Sequence, residues 1–89
     1  EKGYLDIARL LIGAGADVNK TIENEWSPFH NYKWTPLHIA SQKGHIDMVK
    51  LLIDAGANVN HTGLLRETPL MVAIHCRHFD VAKLLIKSN

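Results

Sequence analysis

Apolar residues between positions 46 and 54 are spaced as they are on one side of a helix. They form a broad apolar face with charged residues between them: Ile46, Val49, Leu51, Leu52 and Ile53. Residues three and four positions apart project from the same side of a helix. The pattern predicts a helix from Ile46 to Asp54, and the similar segment 80–86 predicts another of the same kind.

Two further helices have their starts marked by a threonine followed by a proline, at 35–36 and 68–69. A threonine hydroxyl accepts a backbone N–H at a helix N-terminus, and proline fits the first helical position because its missing N–H costs nothing there. Apolar residues follow both pairs at helical spacing: Leu37, Ile39, Ala40, Leu70, Val72 and Ala73. Gly44 predicts the end of the first of these helices, since glycine accepts a left-handed turn.

The chain repeats itself. Segments 35–37 and 47–53 recur 33 residues later, at 68–70 and 80–86. Segments 3–12 and 15–19 resemble 44–53 and 56–60 at a shift of 41, so the first interval is eight residues longer than the second. A pair of helices that is apolar on its front and its back must stack on a neighbouring pair. The repeats therefore predict a row of stacked units.

These segments resemble the ankyrin repeat. The stretch 35–60, TPLHIASQKGHIDMVKLLIDAGANVN, is close to the family pattern throughout, and 33 residues is the period of that family. The resemblance implies an all-α ankyrin-repeat solenoid of helix-turn-helix units with β-hairpin-like finger loops. It divides the chain into a partial first repeat (1–19), an enlarged finger loop (20–33), a second repeat (34–60) and a third repeat (61–89).

The eight extra residues precede the second repeat, where a helix-opening phrase occurs twice, as WSPFH at 26–30 and WTPLH at 34–38. The register with the third repeat predicts that the helix begins at Thr35, and that Ser27 opens a short helical turn inside the loop. A single longer helix from Ser27 is the alternative. It would place Pro36 in a helix interior, at a cost of roughly 3 kcal/mol.

Four of the six aromatic residues of the chain lie close together here: Trp26, Phe29, Tyr32 and Trp34. One interpretation is that Trp26 and Phe29 pack as a small satellite core that secures the loop. The other is that at least one of Trp26, Tyr32 and Trp34 is an exposed anchor for a protein partner, because aromatic residues dominate interface hot spots. The family resemblance favours Trp34 as that anchor.

The resemblance also implies that finger tips and the inner side of each first helix form a binding surface. The matching positions are Lys33, Trp34, Ser41, Gln42 and Lys43 in the second repeat and Leu65, Arg66, Glu67, His75 and Cys76 in the third. We expect these residues to bind a partner: Trp26, Tyr32, Lys33, Trp34, Gln42, Lys43, Arg66, Glu67 and His75. For any one polar residue, the alternative is an ordinary solvated position.

Two departures from the family pattern fall in the third repeat. Met71 stands where the second repeat has His38, which resembles the histidine that bonds the capping threonine and ties neighbouring loops together. Arg77 replaces the glycine of the turn between helices. A left-handed conformation at Arg77 costs on the order of 1 kcal/mol.

Composition narrows the range of functions. The chain of 89 residues carries 10 Lys and Arg against 9 Asp and Glu, a net charge of +1, which gives no electrostatic footprint for nucleic acid. Its apolar stretches are too short for a membrane span. The single cysteine, Cys76, forms no internal disulfide, which favours the cytoplasm or the nucleus. The start at Glu1, without a signal-peptide pattern, predicts a part of a longer protein.

The reactive side chains indicate neither catalysis nor metal binding. The densest cluster is 75–78, HCRH. A structural zinc site needs four ligands, usually in two spaced pairs, and no second pair is present. No residue is placed to orient His75 as a base for Cys76. We therefore expect no catalytic residue, metal or cofactor.

The leading hypothesis is a non-enzymatic module that binds a protein or peptide through its finger loops and concave helix face. The alternative is a structural spacer within a longer array of a signalling, scaffold or ubiquitin-ligase adaptor protein. Self-association is a third hypothesis, because the first repeat lacks its inner helix. That gap uncovers an apolar surface at Leu5, Ile7, Leu10 and Leu11.

Overall fold

A computed structural model describes residues 2–21, 23 and 33–88, with side chains from Leu5 onward. Helices account for all the regular structure in these residues, and no strand occurs among them. They are α1 (Lys2–Gly13), α2 (Pro36–Lys43), α3 (Ile46–Asp54), α4 (Pro69–His75) and α5 (Phe79–Lys87). None of the described helices is long and apolar enough to cross a membrane.

Helices α2 and α4 begin where the threonine-proline pairs predict. Thr35 and Thr68 are extended, with φ −93° at both, and the Met71 N–H donates to the Thr68 hydroxyl at 3.2 Å. Residues 33–35 are not helical, so the alternative of one long helix from Ser27 is wrong. A proline at the first helical position loses no hydrogen bond, whereas the longer helix would have lost one.

Short left-handed turns join α2 to α3 and α4 to α5. Gly44 has φ 70°, and the N–H of His45 donates to the carbonyl of Ala40 at 3.1 Å. Arg77 occupies the equivalent position with φ 62°, which confirms the left-handed conformation expected there. The two hairpins therefore have the same turn although only one of them has the glycine that the turn prefers.

The hairpins stack side by side around one interior. Its buried members are Leu37, Ala40, Val49, Leu52, Ala73, Val81, Ala82 and Leu85, and Leu70 packs against them. Small alanines at Ala40 and Ala73 let α2 and α4 approach each other closely. The continuous interior confirms the predicted stack. Each fully buried leucine contributes roughly 1.5–3 kcal/mol to its stability.

Helix α1 packs against α3 at one end of the stack. The Asn58 N–H donates to the Asn19 side chain at 2.7 Å and joins the first unit to the second. No inner helix lies beside α1 in the described residues, and residues of α1, α2 and α3 line an open groove of about 640 Å³ there. Leu11 is consequently 56% exposed, whereas Leu52, at the same position of the second unit, is 5% exposed.

Candidate protein-binding surface

The finger before α4 is a tight turn with an apolar tip. The Gly63 N–H donates to the Glu67 carbonyl at 2.9 Å, and the Arg66 N–H donates to the Gly63 carbonyl at 3.0 Å. The turn exposes Leu64 and Leu65, which are 61% and 68% accessible. This part of the chain forms a hydrogen-bonded turn rather than paired strands, so the β-hairpin likeness extends only to the closing bond.

Trp34 is not the exposed anchor that the family resemblance favours. Its side chain is 7% exposed and stacks on His38, with ring centroids 5.4 Å apart and an angle of 19° between the rings. The indole lies against Gly63, where a Cβ atom would come within 2.7 Å of Trp34 Cδ1. Because Gly63 has no side chain, the neighbouring finger leaves room for the indole.

His38 connects the two fingers from a fully buried position. The Thr35 N–H donates to its Nδ1 at 3.1 Å, so Nε2 carries the proton of the neutral ring and donates to the Glu67 carbonyl at 2.9 Å. The hydroxyl of Thr35 also lies 3.0 Å from Nδ1. These contacts confirm the tie that the family resemblance implies for His38.

Two buried polar atoms near this tie have no hydrogen-bond partner: Trp34 Nε1 and Glu67 Oε1. Both side chains lie against Gly63, and a Cβ atom there would overlap Glu67 Oε1. Glu67 therefore turns part of its carboxylate inward, although it is a predicted binding residue. The backbone carbonyl of Glu67 accepts hydrogen bonds from the Gly63 N–H and from His38 Nε2, and these bonds fix the base of the finger.

Two further histidines join the repeats, and the sequence interpretation missed both. His61 Nε2 lies 3.2 Å from the Lys33 carbonyl, and His78 Nε2 lies 3.0 Å from the Gln42 carbonyl. His78 stands 33 residues after His45, so the repeat itself contains a signal for it. His61 has no histidine in register, and its role depends on the fold alone.

The remaining predicted binding residues differ in accessibility. Lys43, Arg66 and His75 are exposed, whereas Lys33, Gln42 and Glu67 are half-buried. Ser41, which the resemblance also placed on this surface, is fully buried and donates to the Leu37 carbonyl at 2.7 Å. Trp26 and Tyr32 lie outside the described residues, and so does the choice between a packed and an exposed aromatic cluster.

The carboxylate of Glu23 lies against the side chain of Lys33. Lys33 Nζ is 2.8 Å from Glu23 Oε2. The hydrogen bond from Lys33, with a second from Thr21, lowers the pKa of the Glu23 carboxyl below its ordinary value.

Burial lowers the pKa of the His38 imidazole, because the charged ring would lose its hydration. In the part of the chain that the structure describes, no three His, Cys, Asp or Glu side chains are grouped to hold a metal ion.

The geometry agrees with the comparisons. The model of the ankyrin repeats matches the chain in three copies over residues 1–89. A search of curated proteins returned no significant match. The three copies agree with the two stacked hairpins and the single helix α1.

Proposed function

Because this chain belongs to the ankyrin repeat family, whose members are generally protein–protein interaction modules and typically not enzymes, we propose that it binds a protein or peptide partner. The binding surface consists of the finger loops and the exposed side of the inner helices α2 and α4. This function requires no cofactor, metal, nucleic acid or membrane. The single cysteine favours the cytoplasm or the nucleus as the place where it acts.

The observation that supports the proposal is an exposed finger tip on a fixed base. Leu64, Leu65 and Arg66 are accessible, while the base of the same loop is held by the bond between His38 and the Glu67 carbonyl. A surface that is already ordered loses little conformational entropy when a partner binds. Exposed leucines on such a surface supply apolar area for an interface.

Photo-crosslinking tests the proposal. A benzophenone amino acid placed at Leu65 samples the finger, and the same group at Lys50, which is exposed on α3, is the matched control. We expect a protein crosslinked from position 65 and not from position 50. Equal labelling from both positions, or labelling from position 50 alone, would contradict a finger-based interface.

The burial of Trp34 favours one alternative, a structural spacer within a longer array. The spacer role needs no exposed anchor, and Trp34 supplies none. Under this alternative the Arg66→Ala and Lys43→Ala variants keep every partner of the parent protein. Loss of a partner with either variant, at unchanged stability, supports the binding function instead.

Self-association through the first repeat is a third candidate function, favoured by the groove beside α1. Ile7 and Leu11 line this groove and are both 56% exposed, and Leu10, outside the groove on the same helix, is 74% exposed. A contiguous apolar surface of this kind promotes association. Sedimentation velocity over a range of protein concentrations tests for self-association. A sedimentation coefficient that stays at the monomer value at high concentration would exclude a dimer. Leu11→Glu, which places a charge in the groove, is the variant expected to abolish any dimer.

A further inference from the structure

The described part of the chain has three non-glycine residues with positive φ, and all three are basic. They are Lys33 at φ 68°, Arg66 at φ 65° and Arg77 at φ 62°. An L-residue in this conformation costs roughly 1–2 kcal/mol, and glycine avoids that cost. At the equivalent turn between α2 and α3, the chain has a glycine: Gly44 adopts φ 70° without this cost.

Strained positions that persist on the surface point to a function for the side chain. Arg66 and Arg77 are exposed, so packing in the interior does not account for either side chain. Arg66 precedes the start of α4 and Arg77 follows its end, and this helix of seven residues is about 10 Å long. An extended peptide of about five residues is long enough to reach both guanidinium groups.

The charge of the repeats is divided unequally. The inner segments, defined as residues 33–45 and 61–78, carry four basic residues and one acidic residue: Lys33, Lys43, Arg66, Arg77 and Glu67. The outer segments, residues 46–60 and 79–88, carry three of each sign. The acidic member of the inner segments directs one carboxylate oxygen into the interior. Glu23 already pairs with Lys33, so Lys43, Arg66 and Arg77 leave the inner segments with a net positive charge that attracts anions.

We propose that the partner presents an acidic peptide segment that contains apolar residues, and that its carboxylates bind Arg66 and Arg77. This inference rests on the proposed function and specifies its partner. Leu64 and Leu65 directly precede Arg66 and contact the apolar residues of the peptide, a combination that suits a peptide better than a nucleic acid. The ion pair between Lys33 and Glu23 shows a carboxylate already bound to the equivalent residue of the other finger.

Peptide display tests the inference with the full chain as bait. A random library of 12-residue peptides is selected on the immobilised protein, and the enriched peptides are measured by fluorescence anisotropy at several salt concentrations. We expect enrichment of Glu and Asp with Leu or an aromatic residue, and affinity that falls as salt rises. The variant Arg66→Gly/Arg77→Gly should weaken binding about tenfold, through the loss of two charged contacts.

The glycine variant separates binding from folding. Glycine fits both left-handed positions, so the double variant should be at least as stable as the original chain. Lys50→Ala/Lys83→Ala removes the same charge from the outer helices and should leave affinity unchanged. Arg66→Lys/Arg77→Lys keeps the charge and should retain most of the affinity.

The outcomes are distinct. Enriched peptides without acidic residues that still lose affinity in an Arg66 or Leu65 variant overturn the acidic class and leave the proposed function intact. An enriched pool whose binding is unchanged by every variant of the inner segments overturns both. A random single-stranded oligonucleotide that binds through Arg66 and Arg77 more tightly than the selected peptides also overturns the inference, in favour of a nucleic-acid surface.

Discussion

His38 Nε2 lies 2.9 Å from the carbonyl oxygen of Glu67, so one buried ring of α2 is bonded to the next finger, 29 positions further along the chain. The same ring accepts from Thr35 and thereby fixes the start of α2. The fold thus uses a single polar side chain both to begin an inner helix and to align it with the next unit.

Replacement of His38 by methionine, the residue that Met71 supplies at the same position of the third repeat, should destabilise the protein. His38→Met leaves the Thr35 N–H and the Glu67 carbonyl without this partner, at a cost of about 2–4 kcal/mol. Urea unfolding followed by circular dichroism measures the change. Met71→His is the control, and it should change stability by less than about 0.5 kcal/mol because Met71 is 56% exposed.

Stability should fall in mildly acidic solution because of His38. Burial lowers the pKa of its imidazole in the folded protein below the ordinary value of 6.5. The unfolded chain therefore binds more protons as the pH falls below about 6.5, and protonation favours unfolding. The contribution of His38 is fully present above that pH and is lost as the pH falls toward the folded-state pKa.

Urea unfolding at pH 7.5 and pH 5.5 measures this pH dependence. We expect a smaller difference between the two pH values for His38→Met than for the original chain. The comparison between the two proteins is the readout, because every other ionisable group is present in both. An identical pH dependence in the two proteins would show that His38 does not cause the effect.

A methyl group at Gly63 should disrupt the packing of Trp34. The new Cβ would overlap Glu67 Oε1 and come within 2.7 Å of Trp34 Cδ1, so Gly63→Ala should cost about 1–3 kcal/mol. A Trp26→Phe background leaves Trp34 as the only indole, and its emission should shift to longer wavelength as the ring becomes solvated. Glu67→Ala in the same chain should recover part of the loss, whereas strictly additive losses would show that the two side chains do not compete for this space.

Local rules were sufficient to predict the helices and the interior. Thr35 and Thr68 mark helix starts by chemistry that involves only neighbouring residues, and the 33-residue register places Leu37 and Leu70 at the same point of two stacked hairpins. These features depend on contacts that every repeat makes with the next one. A repeated sequence therefore contains the information for them twice.

The accessibility of Trp34 could not be predicted in the same way. Its burial depends on Gly63, which lies 29 positions away in a different finger and provides space that a side chain would fill. The family position of Trp34 suggested contact with a partner, but the indole stacks on His38 instead. Such a contact belongs to this pair of fingers and not to the repeat, so neither register nor composition contains a signal for it.

The same substitution at two equivalent leucines should separate the covered part of the stack from the uncovered part. Leu52 is 5% exposed beneath α2, and Leu52→Ala should cost about 2–5 kcal/mol because it leaves a cavity. Leu11 occupies the same position of the first unit but is 56% exposed, so Leu11→Ala should cost less than about 1 kcal/mol at low protein concentration. Urea unfolding of both variants at several concentrations gives the comparison. A cost at Leu11 that grows with concentration indicates that a second molecule covers the groove, whereas equal costs at the two positions would show that α1 is already covered in the monomer.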